Sequence, residues 1–361
     1  MAARLAARLA ARLAARLAAR LAARLAARLA GQEIVAAGDL GFVPLFAALD
    51  QVQPDSEWDS AGRRILRRIL TGGVFRVPDK SPGLFTGGPA GLGVAAALLG
   101  GGRSGLLTRL DSLVAPTAEH DLVSGTAGAG VYLLLRPPSP DREAALARAL
   151  ARGARSDPPF PVPRHRMPAG WAVRDGYADC GLAHGAAGPL AVLSLLAGRS
   201  DAAAEIARPA VARLADWLLG VAHRDEWGTA WPAGVAGDER YPSPRRASWC
   251  YGVPGIARAL WLAGEALDEP AYRQAAQEAM DELLASPQAW GLDGLGVCHG
   301  LAGLMLLTTS FAPVEALFDD LCAAYDSRPV EDPGLLSGAA SIALALLAVT
   351  HGTPCAPFLA R

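Results

Sequence analysis

Past Gly31, two kinds of apolar run alternate along the chain. The first kind opens on Gly-x-x-Gly and stays apolar for two or three helical turns. It occurs as "TGGPAGLGVAAALL" (Gly88, Gly91), "SGTAGAGVYLLL" (Gly125, Gly128) and "HGAAGPLAVLSLL" (Gly185, Gly188). It returns as "YGVPGIARALWLAG" (Gly252, Gly255), "HGLAGLMLLTT" (Gly300, Gly303) and "SGAASIALALLA", where Ser341 replaces the second glycine after Gly338. The second kind is amphipathic, as in "AAEIARPAVARLADWLLG" and "AYRQAAQEAMDELLAS", with apolar positions at helical spacing. A helix apolar on every side must be surrounded by protein, whereas a one-sided helix covers a core. Successive first glycines lie 37, 60, 67, 48 and 38 residues apart, which leaves room for one inner helix, one outer helix and loops each time. The pattern predicts an all-α fold: an α/α toroid of six inner and about six outer helices. One core shared by six hairpins makes residues 31–361 a single domain.

Residues 1–30 follow another rule. Positions 2–29 are seven copies of Ala-Ala-Arg-Leu, all strong helix formers, so a helix of about 42 Å is expected. A period of four overshoots 3.6, so the leucine stripe drifts by roughly 40° per repeat and no fixed apolar face survives. The segment lacks the continuous apolar stretch of a secretory signal and the serines of a transit peptide. It is expected to stand outside the functional fold, as a helical or disordered repeat.

Composition sharpens the picture. With 52% hydrophobic and 19% charged residues, a large core is affordable. Aromatics at 6% with abundant Ala, Gly and Leu suit closely packed helices and not a β-sandwich. The net charge of −1 gives no electrostatic case for nucleic acid. It conceals an asymmetry: seven of the 34 basic residues fall in the repeat, leaving 27 against 35 acids, about −8. No apolar stretch is long enough to span a membrane. Five widely spaced cysteines in a chain this long indicate reduced thiols and a cytoplasmic location.

Aligning the six repeats places the chemistry. Immediately before each first glycine stand Gly87, Ser124, His184, Tyr251, His299 and Ser337. One position earlier stand Thr86, Val123, Ala183, Cys250, Cys298 and Leu336. Reactive side chains thus occupy one structural slot in three repeats, at one end of the expected barrel. Cys250, Cys298 and His299 make a soft N/S set for Zn²⁺, one per chain, whose three protein ligands leave the fourth tetrahedral position open, as in catalytic zinc sites. Cys180, Cys322 and Cys355 lie outside the slot and are assigned to the core. His184, in the slot without a cysteine, is a candidate general acid or base. Asp121 either holds its tautomer or caps the following helix. Arg246 either stabilises developing negative charge or sits solvated on a loop.

"RASWCYGVPG", "GVCHGLAG", "GLAHGAAGPLAVL" and "HDLVSGTAG" resemble the lanthipeptide (lantibiotic) cyclase C family, the LanC-like proteins, over roughly Gly83 to Ala348. The resemblance implies the toroid, a zinc on Cys250, Cys298 and His299, a catalytic histidine at His184, its acid at Asp121 and an arginine at Arg246. It also implies an activity: addition of a peptide cysteine thiol across dehydroalanine or dehydrobutyrine to give lanthionine or methyllanthionine. The implied partners are a dehydrated precursor peptide, and a dehydratase and exporter through which alone the protein would meet the inner membrane face. Length without a kinase or dehydratase domain points to the separate-cyclase class. Glutathione addition to dehydrated residues and a non-enzymatic, zinc-stabilised peptide scaffold are the alternatives. The chain departs from the family pattern in the missing last glycine, the single lysine Lys80 and the N-terminal repeat.

Overall fold

The computed structural model describes residues 42–54, 57–71, 81–99, 104–163, 175–243, 245–330, 332, 334–353, 355 and 358–359. The Ala-Ala-Arg-Leu repeat and Lys80 lie outside these residues. The chain forms two compact units, one of residues 115–293 and one of those before and after.

The flanking unit contains α1 (Phe42–Val52), α2 (Trp58–Thr71), α3 (Pro89–Leu98) and α4 (Ser104–Leu113), then α11 (Leu301–Thr308), α12 (Glu315–Ser327) and α13 (Ala339–His351). Among these, α13 packs against α1 and α11, and α1 against α2 and α3. The central unit contains α5 (Thr126–Leu134), α6 (Pro140–Ala154), α7 (Ala187–Ala197), α8 (Asp201–Val221), α9 (Val253–Leu267) and α10 (Pro270–Leu284). Here α7 packs on α5, α8 and α9, and each inner helix packs on the outer helix that follows it.

The two kinds of run divide as their patterns require. Residues 89–96, 126–133 and 302–308 are buried without interruption in α3, α5 and α11. In α10 only Tyr272, Ala276, Ala279, Met280 and Leu283 are buried, one stripe at helical spacing. Each leucine sealed in an inner helix contributes about 1.5–3 kcal/mol.

The second glycine of the motif has a specific task. A Cβ at Gly91 or Gly188 would stand 2.5 or 2.6 Å from the carbonyl oxygen of Leu84 or Leu182, and closer still to those of Trp249 and Val297 at Gly255 and Gly303. The loop entering each inner helix therefore presses its backbone against the first turn. In the last repeat Ser341 stands at this position, and its Oγ donates to the Gly338 carbonyl (2.7 Å) and accepts the Val297 N–H (3.2 Å) of the preceding repeat's entry loop.

Two features were not visible in the helical periodicity. The third inner helix starts at Ala187, after Ala186 as cap, two residues beyond Gly185. Five short strands accompany the helices of the central unit. β1 (Ala178–Asp179), β4 (Gly234–Ala236) and β5 (Glu239–Tyr241) form an antiparallel sheet in the order β1-β4-β5; β2 (His223–Asp225) and β3 (Gly228–Ala230) form a hairpin.

A buried ion pair ties two hairpins of the central unit. Glu143 of α6, fully buried, accepts hydrogen bonds from Arg199 Nε (3.1 Å) and the Ser139 N–H (3.2 Å). Arg199 also donates to the carbonyls of Leu134 and Arg136. Burial alone would raise the Glu143 pKa, but hydrogen bonds from Ser200, Ser139 and Arg199 and attraction to Arg199 hold it below the ordinary value. A depressed carboxylate pKa stabilises the fold at neutral pH and loses that contribution as pH falls through the folded value. Glu143→Gln is expected to cost about 3 kcal/mol at pH 7 and to flatten the acid limb of the stability profile. Urea melts from pH 7 to pH 3 check this; an acid limb as steep as that of the wild type would contradict it.

Candidate functional site

The segment 245–253 is a tight entry loop. The Ala247 N–H donates to the Trp290 carbonyl (2.9 Å), the Gly252 N–H to that of Ser248 (3.0 Å), and the Val253 N–H to that of Arg246 (2.8 Å). Trp249 is fully buried beneath it. Cys250 is thereby fixed just before α9, almost wholly buried, with its Sγ 3.8 Å from Ser248 Oγ. Cys298 is fixed just before α11 by its N–H on the Leu336 carbonyl (2.8 Å), while the preceding Val297 N–H meets Ser341 Oγ. The altered last repeat therefore supports a candidate ligand. Cys298 Sγ lies 3.3 Å from His299 Nε2.

Cys250, Cys298 and His299 form a group of three potential metal ligands, one atom of each lying within 4.8 Å of the other two. On a tetrahedral zinc with bonds of about 2.3 Å to sulfur and about 2.0 Å to nitrogen, neighbouring ligand atoms stand roughly 3.5–3.8 Å apart. The donor set fits that ion, and two thiolates with one neutral imidazole balance its charge. None of the five cysteines is in a disulfide. Cys180, Cys322 and Cys355 are buried, and burial pushes the thiols of Cys322 and Cys355 up to about 11 and about 12, as expected of core residues.

His184 is half exposed at the end of the loop 180–186. Its Nδ1 stands 4.0 Å from Asp121 Oδ1. Asp121 also accepts the Ser124 N–H (2.7 Å) and the Ser124 hydroxyl, so it closes the turn before α5 while facing the imidazole. Asp121 thus lies beside the imidazole and secures the turn before α5, whose own N-cap is Gly125 without a side-chain cap. His120 holds the same loop from the other side, its Nε2 3.1 Å from the His184 carbonyl and its ring stacked on Phe160 at 4.4 Å.

Arg246 is not on a solvated loop. It is 9% exposed, and its guanidinium binds Asp225 Oδ2 of β2 (2.5 Å) and the Thr229 carbonyl of β3 (3.0 Å). Its Nε is buried with no hydrogen-bond partner among the described residues. The β2–β3 hairpin is in turn held by Glu282 of α10, which accepts from Arg224 and from the Thr229 N–H. That chain of contacts could not be read from helical periodicity, because it runs through the hairpin.

Two further residues enter the site. Tyr251 occupied the repeat slot in the sequence; its ring centroid lies 6.3 Å from that of His184. Asp179 lies six residues before Gly185, outside the slot, with no periodic signal to mark it. It is 7% exposed, and burial raises its pKa to about 7 against hydrogen bonds from Gly181 and Tyr251.

The family model described as lanthionine synthetase C-like protein matches residues 34–314. The nisin biosynthesis protein NisC of Lactococcus lactis subsp. lactis is 32% identical over 88 residues, 22% of this chain and 21% of that protein. The solved structure of nisin cyclase superposes with a TM-score of 0.74 at 19% identity, covering 94% of this chain and 96% of that one. The likeness carries the fold, and the all-α toroid expected from the repeat is the architecture of the chain.

Proposed function

The chain belongs to the lanthionine synthetase C-like family, and on that premise we propose that it is a zinc-dependent lanthipeptide cyclase acting on a dehydrated precursor peptide. The observation that carries the proposal is the group of Cys250, Cys298 and His299, which leaves one tetrahedral position for a substrate thiol. Zinc bound there supplies a Lewis acid that ionises a thiol at neutral pH.

The remaining work falls to side chains. As the new C–S bond forms at the β-carbon of dehydroalanine or dehydrobutyrine, the alkene electron pair moves toward the neighbouring carbonyl and the α-carbon needs a proton. His184 holds that proton at Nε2, because its Nδ1 faces Asp121. Asp121, facing Nδ1, orients the ring. Arg246 contributes fixed positive charge for the enolate, held in place by Asp225. The proton released by the substrate thiol equals the proton delivered to carbon, so the addition conserves mass.

A dehydratase that prepares the peptide and an exporter that removes it are the partners this reaction calls for. No helix among the described residues is long and apolar enough to cross a membrane. The test is incubation of the zinc-loaded protein with a dehydrated peptide, with and without glutathione. Cyclisation removes alkylatable thiol at constant mass, whereas glutathione addition increases the mass. Persistence of both thiol and alkene in the absence and presence of glutathione would reject thiol addition.

A further inference from the structure

Asp179 is a buried carboxyl group that the reaction above does not use. It ends β1, paired with Gly234 of β4. Its Oδ1 accepts the Gly181 N–H (2.7 Å), its carbonyl accepts the Ala186 N–H (2.9 Å), and its carboxyl group is hydrogen-bonded to the side chain of Tyr251. It therefore grips both ends of the loop that carries His184, and the residue following Cys250. A second set of bonds runs the same way: the Cys250 carbonyl accepts the N–H groups of Leu182 (2.8 Å) and Ala183 (3.2 Å).

Glycines make this closeness possible. A Cβ at Gly181 would stand 2.5 Å from the Cys250 carbonyl oxygen and 2.8 Å from the Tyr251 ring, and one at Gly185 would overlap Asp179. The phrase "DCGLAHG" is thus a folded unit, not a helix start alone.

We propose that Asp179 is a positioning residue: by holding the Tyr251 hydroxyl and the loop 181–186 together, it fixes the His184 imidazole relative to Cys250. The inference rests on the thiol-addition reading for its kinetic consequence, while the tie itself is independent of that reading. Outer groups that orient catalytic ones typically change activity by about 10- to 100-fold when removed, and displacement of a reacting group by about 1 Å costs a similar factor.

The experiment compares Asp179→Ala, Asp179→Asn, Tyr251→Phe and the double variant Asp179→Ala/Tyr251→Phe. Zinc content, kcat and KM for thiol addition, and amide hydrogen exchange over residues 181–186 are measured on each. Asp179→Ala is expected to keep its zinc and its KM, to lose about 10- to 100-fold in kcat, and to exchange faster at Gly181, whose N–H binds the carboxylate. Asp179→Asn should recover most of the rate, because an amide oxygen accepts the same bonds. The double variant should be no slower than the slower single one, as expected of two groups acting through one contact. A kcat within twofold of wild type in Asp179→Ala would overturn the proposal. So would rate losses that multiply in the double variant, or zinc lost in step with activity. An inactive wild type would reject thiol addition; exchange over 181–186 left unchanged by Asp179→Ala would then overturn the tie on its own.

Discussion

Replacing Cys298 by alanine is expected to abolish zinc binding and ring formation together. The wild-type protein should carry close to one equivalent of zinc, because two thiolates and an imidazole neutralise the ion and supply three of its four bonds. In Cys298→Ala one thiolate is gone, the remaining Cys250 and His299 leave a net positive centre, and two positions open to water. Thiolate ligation is also what makes zinc affinity depend on pH, since protons must leave before metal enters. Wild-type zinc affinity should therefore fall more steeply between pH 8 and pH 6 than any residual affinity of the variant, which has one thiol proton fewer to displace. Elemental analysis of the purified variant beside a thiol-consumption assay on dehydrated peptide reads both effects. One full equivalent of zinc in Cys298→Ala would remove this cysteine from the ligand set. The fold should survive: Cys298 is only partly buried, and its backbone N–H, which binds Leu336, is untouched.

The candidate ligands were legible because they sit at equivalent points of a repeat. Cys250, Cys298 and His299 stand one or two residues before a helix-opening glycine, and the fold treats each such position alike. The same logic singled out His184 as a candidate. It did not reach Asp179, which lies on a two-residue strand upstream of the slot, where no periodicity operates. Nor did it reach Asp225, whose contact with Arg246 depends on a hairpin whose strands are three residues each. Strands this short carry too few residues to show an alternating pattern. Ser341 was legible as a departure but not as a replacement. Only the hydrogen bond from Val297 shows that its hydroxyl ties the sixth inner helix to the entry loop of the fifth.

His184→Ala is expected to separate metal binding from chemistry. The substitution leaves Cys250, Cys298 and His299 in place, so zinc stoichiometry and capture of a substrate thiol should persist. What disappears is the group that delivers a proton to the α-carbon, and general acids of this kind typically contribute about 10²- to 10⁴-fold in rate. The side chain is half exposed, so its removal creates no cavity in the core and little loss of stability. Asp121→Asn should behave as a milder version: it keeps a hydrogen-bonding oxygen for Ser124 but removes the carboxylate that faces the imidazole. The decisive comparison sets zinc content beside the single-turnover rate of thioether formation for both variants. A slow rate in His184→Ala that rises with added imidazole would place the missing proton donor at that position. A wild-type rate with full zinc would mean that another group, or water, protonates the enolate, and His184 would lose the role assigned to it.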